Sequence, residues 1–321
     1  MQWARLFLAF AFTFASTSVW SQADYPARPV KVIVPSPPGG GTDILARVLA
    51  QHLSKALGQP FFVENKAGAG NMIGIEFVAH APADGYTVLV VPSTLALNSV
   101  LYKKVPYDPV RDFAPVTLAA TAPNVLVVNP ALPAKSLAEF IALAKAKPGA
   151  LSYGTPGIGT SPHLSMELLK SMAGIDVQHV PYRGTAAAVT DVIGGQIAAT
   201  FANAFTAKPQ VDSGRVRALA VSGPNRIDAF PGVPPVAEAG VPGYEAMQWY
   251  GLAVPAGTPA PIIARLHAEA AKALQSDEMK EKLALDGAQP VGSTPAEFGA
   301  LIRRELEKWA RVVRAAGIEL Q

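Results

Sequence analysis

The sequence predicts an α/β protein with two similar lobes joined by two crossover strands. Short apolar, β-rich runs alternate with amphipathic helical patterns along most of the chain, which favours a mainly parallel sheet covered by helices. Two further runs, one after Pro123 and one at Tyr250, precede and follow the second of these two series. The length of 321 residues suits about two domains of ordinary size.

The first series lies in the N-terminal part of the chain. Residues 30–34 form a β-rich run, and residues 44–57 follow with apolar side chains on one helical face and Gly58 as the stop. The pattern then predicts a strand at residues 61–63, a helix at 73–79 and a strand at 86–91. This β-α-β-α-β order predicts the first lobe.

The second series begins after the first crossover strand, residues 123–130, which follows a loop-rich stretch and is bounded by prolines. Ser136 and Glu139 have the spacing of a capping box and predict a helix that ends at Pro148-Gly149. The pattern next predicts strands at 151–155, 177–182, 197–201 and 217–222, with helices from Pro162 and Thr185.

A Pro- and Gly-rich stretch, residues 231–243, predicts a linker back to the first lobe, and residues 250–254 predict the second crossover strand. Helices are predicted to start at Thr258-Pro259 and at Thr294, where Pro at N1 and Glu at N3 complete the start signal. Apolar residues at helical spacing after Thr294 indicate core packing rather than a cofactor site. The predicted organisation is domain 1 at residues 24–123 plus 228–321 and domain 2 at 124–227, with a hinged cleft between them.

The N-terminus has the layout of a secretory signal peptide. Arg5 precedes an apolar run that is too short for the roughly 20 residues of a membrane span, and Ser21-Gln22-Ala23 supplies the small residues of a cleavage site. A buried first helix is the alternative, and it accounts less well for this order of residues. We therefore predict a signal peptide at residues 1–23 and an exported mature chain from Asp24.

Composition excludes several classes of protein. The chain has no cysteine, which excludes thiol catalysis, Fe–S clusters and cysteine-ligated zinc. Its 27 basic and 24 acidic residues are dispersed and leave a net charge of only +3, without the clustered basic stripe that is typical of nucleic-acid binding. We expect no nucleic-acid partner and no cofactor.

The glycine loop before the first long helix is the first candidate site. A phosphate-binding P-loop requires a lysine after its last glycine, but Gly41 is followed by Thr42-Asp43, and the third glycine of a dinucleotide fingerprint is also missing. What remains is a set of backbone amides and a hydroxyl beside a helix N-terminus, which suits a carboxylate. A tight strand-to-helix turn with Thr42 as a simple cap is the alternative for this loop alone.

The same chemistry recurs at three other strand ends, where ligands of α/β sheets bind. A second glycine loop with a hydroxyl and a helix start follows the strand that ends at Thr155, and neutral polar residues follow two more strands. The predicted ligand-binding residues are Gly40, Gly41, Thr42, Asp43, Ser93, Thr94, Thr155, Gly159, Thr160, Ser161, His163 and Asn203.

Support for catalysis is weak. Ser161 and His163 could form a hydrolase pair, but the Gly-x-Ser-x-Gly elbow that exposes a nucleophile is missing. The histidines lack the His-x-x-x-His and His-x-His spacings of metal ligands, so no metal site is predicted. A secreted hydrolase that uses Ser161 and His163 is the alternative function.

The chain resembles the Bug-type extracytoplasmic solute receptors, which are the substrate-binding proteins of tripartite tricarboxylate transporters. The resemblance covers essentially the whole mature chain. It is carried by the motifs VP with PPGGGTD at residues 34–43, GQP with VEN at 58–65, DGYT at 84–87, PYDP with DFAP at 106–115, HVPY at 179–182 and PAGTP at 255–259. Ser36 departs from the family, which usually has an aromatic residue there, and Ala202 stands where the family often has Asp.

The resemblance implies a two-lobed periplasmic-binding-protein fold, type II-like, that closes on its ligand. It implies a non-enzymatic periplasmic receptor that delivers a small carboxylate to a membrane permease, and it leaves open delivery to a sensor kinase. Family receptors hold a ligand carboxylate with loop amides, hydroxyls and waters, which matches the predicted residues. We expect the receptor to be a monomer.

Overall fold

The computed structural model describes residues 25–39, 41–284, 287–315, 317–318 and 320, so the predicted signal peptide lies outside the described residues. Strands and helices alternate along most of the chain, as the sequence pattern predicts. In chain order the elements are β1 (Val30–Val34), α1 (Gly41–Leu57), β2 (Phe61–Asn65), α2 (Met72–Ala79), β3 (Thr87–Pro92), α3 (Thr94–Leu101), β4 (Phe113–Val128), α4 (Leu137–Ala146), β5 (Ser152–Thr155), α5 (Ser161–Ala173), β6 (Gln178–Pro181), α6 (Thr185–Ile193), β7 (Ala199–Asn203), α7 (Ala204–Asp212), β8 (Arg217–Val221), β9 (Met247–Pro255), α8 (Ala260–Leu274), α9 (Asp277–Ala284), β10 (Gln289–Pro290) and α10 (Pro295–Ala315).

Two parts of the fold share one winding pattern. In the N-terminal unit, which comprises β1–β3 and α1–α3, the strands pair in parallel in the order β2-β1-β3. In the central unit, which comprises β5–β7 and α4–α7, the parallel order is β6-β5-β7. The loop from β1 to α1 therefore corresponds to the loop from β5 to α5. The predicted recurrence of one loop chemistry has this common topology as its structural basis.

The strands between the two units run antiparallel to their neighbours, so the expectation of a mainly parallel sheet holds only within each unit. β9 pairs with β3 on one side and with β4 on the other, both antiparallel. β4 then pairs with β7 and β8 through its last five residues, again antiparallel. One continuous strand thus belongs first to the β9 side and then to the central unit.

β4 begins ten residues before the predicted crossover strand, in a stretch that looks loop-rich in sequence. Proline has no N–H for a strand ladder and is usually confined to edges and bulges. Here the register of β4 against β9 shifts between Pro115 and Thr117, so the bulge accommodates the proline within the strand. Helix α7 was also missed in the sequence, because Pro209 lies inside it.

The predicted helix starts at Ser136 and Thr294 are confirmed by hydrogen bonds between their side chains and nearby backbone amides. The Glu139 amide donates to Ser136 Oγ at 3.2 Å, which caps α4. At α10, the Glu297 amide donates to Thr294 Oγ1 at 3.3 Å while the Thr294 amide donates to Glu297 Oε2 at 2.9 Å. Both bonds of the predicted capping box are therefore present.

The aromatic residues of α10 are core residues, as predicted. Phe298 and Trp309 are almost fully buried, and the Phe298 ring packs edge-on against Trp249 of β9 at 5.6 Å between centroids. Gly251 of β9 lies directly beneath that ring, because a Cβ added there would stand only 2.2 Å from Phe298 Cζ. Among the described residues, no helix is long and apolar enough to cross a membrane.

Candidate functional site

A cleft of about 610 Å³ lies between the N-terminal unit and the central unit and is lined by both. Most of the polar residues that line it lie at or next to the carboxyl end of a strand or the start of a helix. Of the predicted site residues, those that line the cleft are Gly41, Thr42, Ser93, Thr94, Thr160, Ser161 and Asn203. Gly40 lies outside the described residues. The role of these predicted residues in ligand binding stays a prediction.

Six of the described helices have their N-termini at this cleft. Its lining includes the first residues or N-caps of α1, α2, α3, α5, α6 and α7. No side-chain hydrogen bond caps the last five, whose N-cap residues are Asn71, Ser93, Thr160, Gly184 and Asn203. Each uncapped N-terminus exposes free amides and carries roughly half a positive elementary charge. The cleft therefore favours an anion.

Two side-chain oxygens on the cleft wall are buried without a hydrogen-bond partner. They are Ser36 Oγ, in the β1–α1 loop, and Asn203 Oδ1, at the start of α7. A buried polar atom that stays unpaired costs about 1–3 kcal/mol, so native structures usually satisfy such atoms with a ligand or water. The two atoms belong to opposite walls, which suits a ligand held between the units.

Asp43 does not line the cleft but holds the β1–α1 loop from behind. Its nearly buried carboxylate accepts hydrogen bonds from the Gly39 amide, Asn65 Nδ2 and Arg47 Nε, each at 2.9 Å, and from Arg47 Nη2 at 3.0 Å. Burial raises the pKa of Asp43, but the bonds from Arg47, Gly39 and Asn65 outweigh it and lower the pKa below its ordinary value. The carboxylate is thus neutralised away from the cleft and does not repel an anion there.

Thr155, Gly159 and His163 support the β5–α5 loop rather than line the cleft. Thr155 Oγ1 lies 2.6 Å from His179 Nε2, and the Gly159 amide donates to His163 Nδ1 at 3.4 Å. Burial, and then the nearby charges of His179 and Lys170, lower the pKa of His163 to about 3. The His163 ring is therefore neutral at physiological pH and can accept the Gly159 N–H. In front of these supports, Thr160 and Ser161 form the cleft wall.

The geometry does not assemble Ser161 and His163 into a hydrolase pair. Ser161 Oγ accepts a hydrogen bond from Asn124 Nδ2 at 2.8 Å, while His163 Nδ1 faces the Gly159 amide. A nucleophilic serine must instead lie within hydrogen-bond reach of its base. Within the described ranges, no three His, Cys, Asp or Glu side chains are grouped as metal ligands.

Several lining residues were not predicted from the sequence. Asn71 donates from Nδ2 to Thr94 Oγ1 at 2.9 Å, and Asn124 sits in the middle of β4 beside Ser161. Phe205, at the start of α7, keeps 56% of its surface exposed and supplies an aromatic face from the wall opposite Ser36. Ala202, in contrast, is fully buried. No local motif marks these positions, because distant elements bring them to the cleft.

Comparison with known proteins identifies relatives over nearly the whole chain. A family model described as "Tripartite tricarboxylate transporter family receptor" matches residues 45–318. Protein BugT of Bordetella pertussis is 42% identical over 299 residues, which cover 92% of this chain and 92% of that protein.

Two solved structures with bound carboxylates are similar in fold and sequence. Rpa4515 of R. palustris, solved with adipate, is 38% identical with a TM-score of 0.83, and the match covers 92% of this chain and 99% of that one. MatC (Rpa3494) from Rhodopseudomonas palustris, solved with bound malate, is 33% identical with a TM-score of 0.79, over 90% and 100% of the two chains.

Proposed function

The chain belongs to the tripartite tricarboxylate transporter receptor family, and we propose that it binds a small organic carboxylate in the cleft between its two units. The family and the relatives of this chain are binding receptors rather than enzymes, and the fold is the two-lobed binding-protein fold that the resemblance implies. Family membership thus identifies the chain as a binding receptor. The proposal for the chemical class of its ligand is based on the residues that line the cleft.

The observation that carries the proposal is the convergence of six helix N-termini on one cleft. Their free amides and partial positive charges suit a carboxylate, and none of the described residues that line the cleft is acidic. Ser36 Oγ and Asn203 Oδ1 add unpaired polar atoms on opposite walls. Two neighbours in fold were solved with the dicarboxylates adipate and malate, which supports the same ligand class here.

We further propose that the units act as lobes that close on the ligand, with residues 24–123 plus 228–321 as one lobe and 124–227 as the other. The pairing of β4 supports this boundary, because its partner changes from β9 to β7 and β8 between Pro123 and Asn124. A strand shared by both lobes can bend at such a point while the pairing on each side persists. Closure would bring the two glycine loops against one carboxylate.

Family membership supports a proposal for the biological role. We propose a periplasmic, monomeric receptor, exported with cleavage after Ala23, that delivers its ligand to a tripartite tricarboxylate-type permease. Delivery to a sensor kinase is a second role of the same closed form. The N-terminal signal-peptide pattern and family membership support export.

A thermal-shift screen of organic acids tests the ligand class. A ligand that binds only the folded protein stabilises it by RT ln(1 + [L]/Kd), about 2.7 kcal/mol at 100 times Kd, so Tm should rise by several degrees. Adipate and malate, with their neutral amides as matched controls, belong in a panel of mono-, di- and tricarboxylates. Stabilisation by an acid but not by its amide is expected. If no carboxylate of the panel raises Tm, the proposal is wrong.

A further inference from the structure

Lys282 of α9 is a charged residue on the cleft wall that belongs to none of the helix N-termini. Among the described residues that line the cleft, it is the one with a charged side chain. Leu283, Ala288 and Tyr250 of β9 also line the cleft. The next glycine, Gly287, lies close to the central unit, because a Cβ there would be 3.2 Å from Ala204 Cβ. The region around α9 therefore borders both walls.

The Lys282 ammonium is available to a ligand. Its side chain is exposed, and within the described part of the chain it makes no hydrogen bond and no ion pair, although Glu278 and Glu281 lie on the same helix. The nearby Lys272, in contrast, pairs with Glu269 at 2.7 Å on α8. An unpaired lysine beside a cleft without acidic lining attracts negative charge from the solvent, and exclusion of water on closure would strengthen that attraction.

The backbone amides and Lys282 are suited to different groups. Helix N-termini hold one carboxylate through several fixed donors, whereas a lysine presents a compact charge on a flexible four-carbon stem. A single carboxylate at the glycine loops leaves the lysine charge unused. We propose that Lys282 receives a second carboxylate of the ligand and thereby makes the receptor selective for dicarboxylates over monocarboxylates. This inference rests on the proposed function.

Matched ligand pairs test the inference by calorimetry. Adipate and hexanoate, and succinate and butyrate, have equal chain length and differ by one carboxylate. In Lys282→Gln, dicarboxylate affinity should fall about tenfold or more, as expected for loss of one close charge pair, while monocarboxylate affinity changes less than about twofold. Lys280→Gln, which removes an exposed charge of the same helix outside the cleft, should change neither.

The outcomes separate this inference from the proposed function. Lys282→Arg should keep the dicarboxylate preference, and Lys282→Gln should unfold close to the wild-type temperature because the exposed Lys282 makes no hydrogen bond or ion pair within the described part of the chain. Equal losses for both members of a pair, or no loss for either, would overturn the role of Lys282 while carboxylate binding stands. Wild-type protein that binds neither dicarboxylate also overturns it, and the wider organic-acid screen then decides whether carboxylate binding itself fails.

Discussion

The carboxylate of Asp43 is expected to hold the first glycine loop in its binding geometry, and Asp43→Asn tests this with little change in shape. The Asp43 carboxylate is the acceptor in all four of its hydrogen bonds. Oδ2 accepts from the Gly39 amide and Arg47 Nε, and Oδ1 accepts from Asn65 Nδ2 and Arg47 Nη2. A carboxamide has one oxygen and one NH₂ group. Whichever way it turns, two of the four donors meet an N–H and lose their acceptor.

The structure sets the magnitude of the effect. A hydrogen bond contributes about 0.5–1.5 kcal/mol, and one to a charged group about 1.5–3 kcal/mol. The contribution of Arg47 is discounted, since its side chain is 54% exposed and solvent screens the pair. We therefore expect Asp43→Asn to lower the free energy of unfolding by roughly 2 kcal/mol at pH 7. Arg47→Met, which leaves the bonds from Gly39 and Asn65 in place, should cost about 1 kcal/mol or less.

Urea unfolding of the wild type, Asp43→Asn and Arg47→Met measures these differences, and calorimetry with a carboxylate found in the screen measures the loop. Because the pKa of Asp43 is lowered on folding, its contribution is complete above the ordinary Asp pKa of about 3.9 and is lost as the pH falls through the lower folded pKa. The gap between wild type and Asp43→Asn should shrink over that acidic range. A gap below about 0.5 kcal/mol at pH 7, or one that is unchanged in acid, would refute the reasoning.

Two further predictions concern the cleft and the core. Thr42→Val combined with Thr160→Val removes one hydroxyl from each glycine loop, so carboxylate affinity measured by calorimetry should fall roughly 10- to 100-fold while the circular dichroism spectrum stays unchanged. Thr190→Val, on the exposed part of α6, is the control. Unchanged affinity in the double variant would contradict the role of the two glycine loops in carboxylate binding. Gly251→Ala places a Cβ 2.2 Å from Phe298 Cζ and 2.9 Å from the Thr117 carbonyl oxygen, so the urea midpoint should drop by the equivalent of about 1–3 kcal/mol. A variant as stable as wild type would contradict the close contact between Phe298 of α10 and Gly251 of β9.

Sequence reasoning succeeded where structure depends on near neighbours. The Thr294 capping box, the apolar face of α1 and the strand-to-helix order of both units all follow from residues a few positions apart. It fell short where partners are distant. The pattern predicts Asp43 as a ligand-binding residue, yet Asn65, 22 positions further along the chain, binds it on the other side of the loop.

The sequence by itself determined the α/β class, the family, and the two glycine loops whose amides and hydroxyls suit a carboxylate. These depend on local periodicity, turn residues and helix starts, which act over a few residues. Tertiary structure decided which side chains face the cleft. It brought Asn124 of β4 and Lys282 of α9 to the same cleft as Thr42, although more than 80 residues separate each from that threonine along the chain. Side-chain direction there depends on long-range strand pairing and helix packing, which no local pattern encodes.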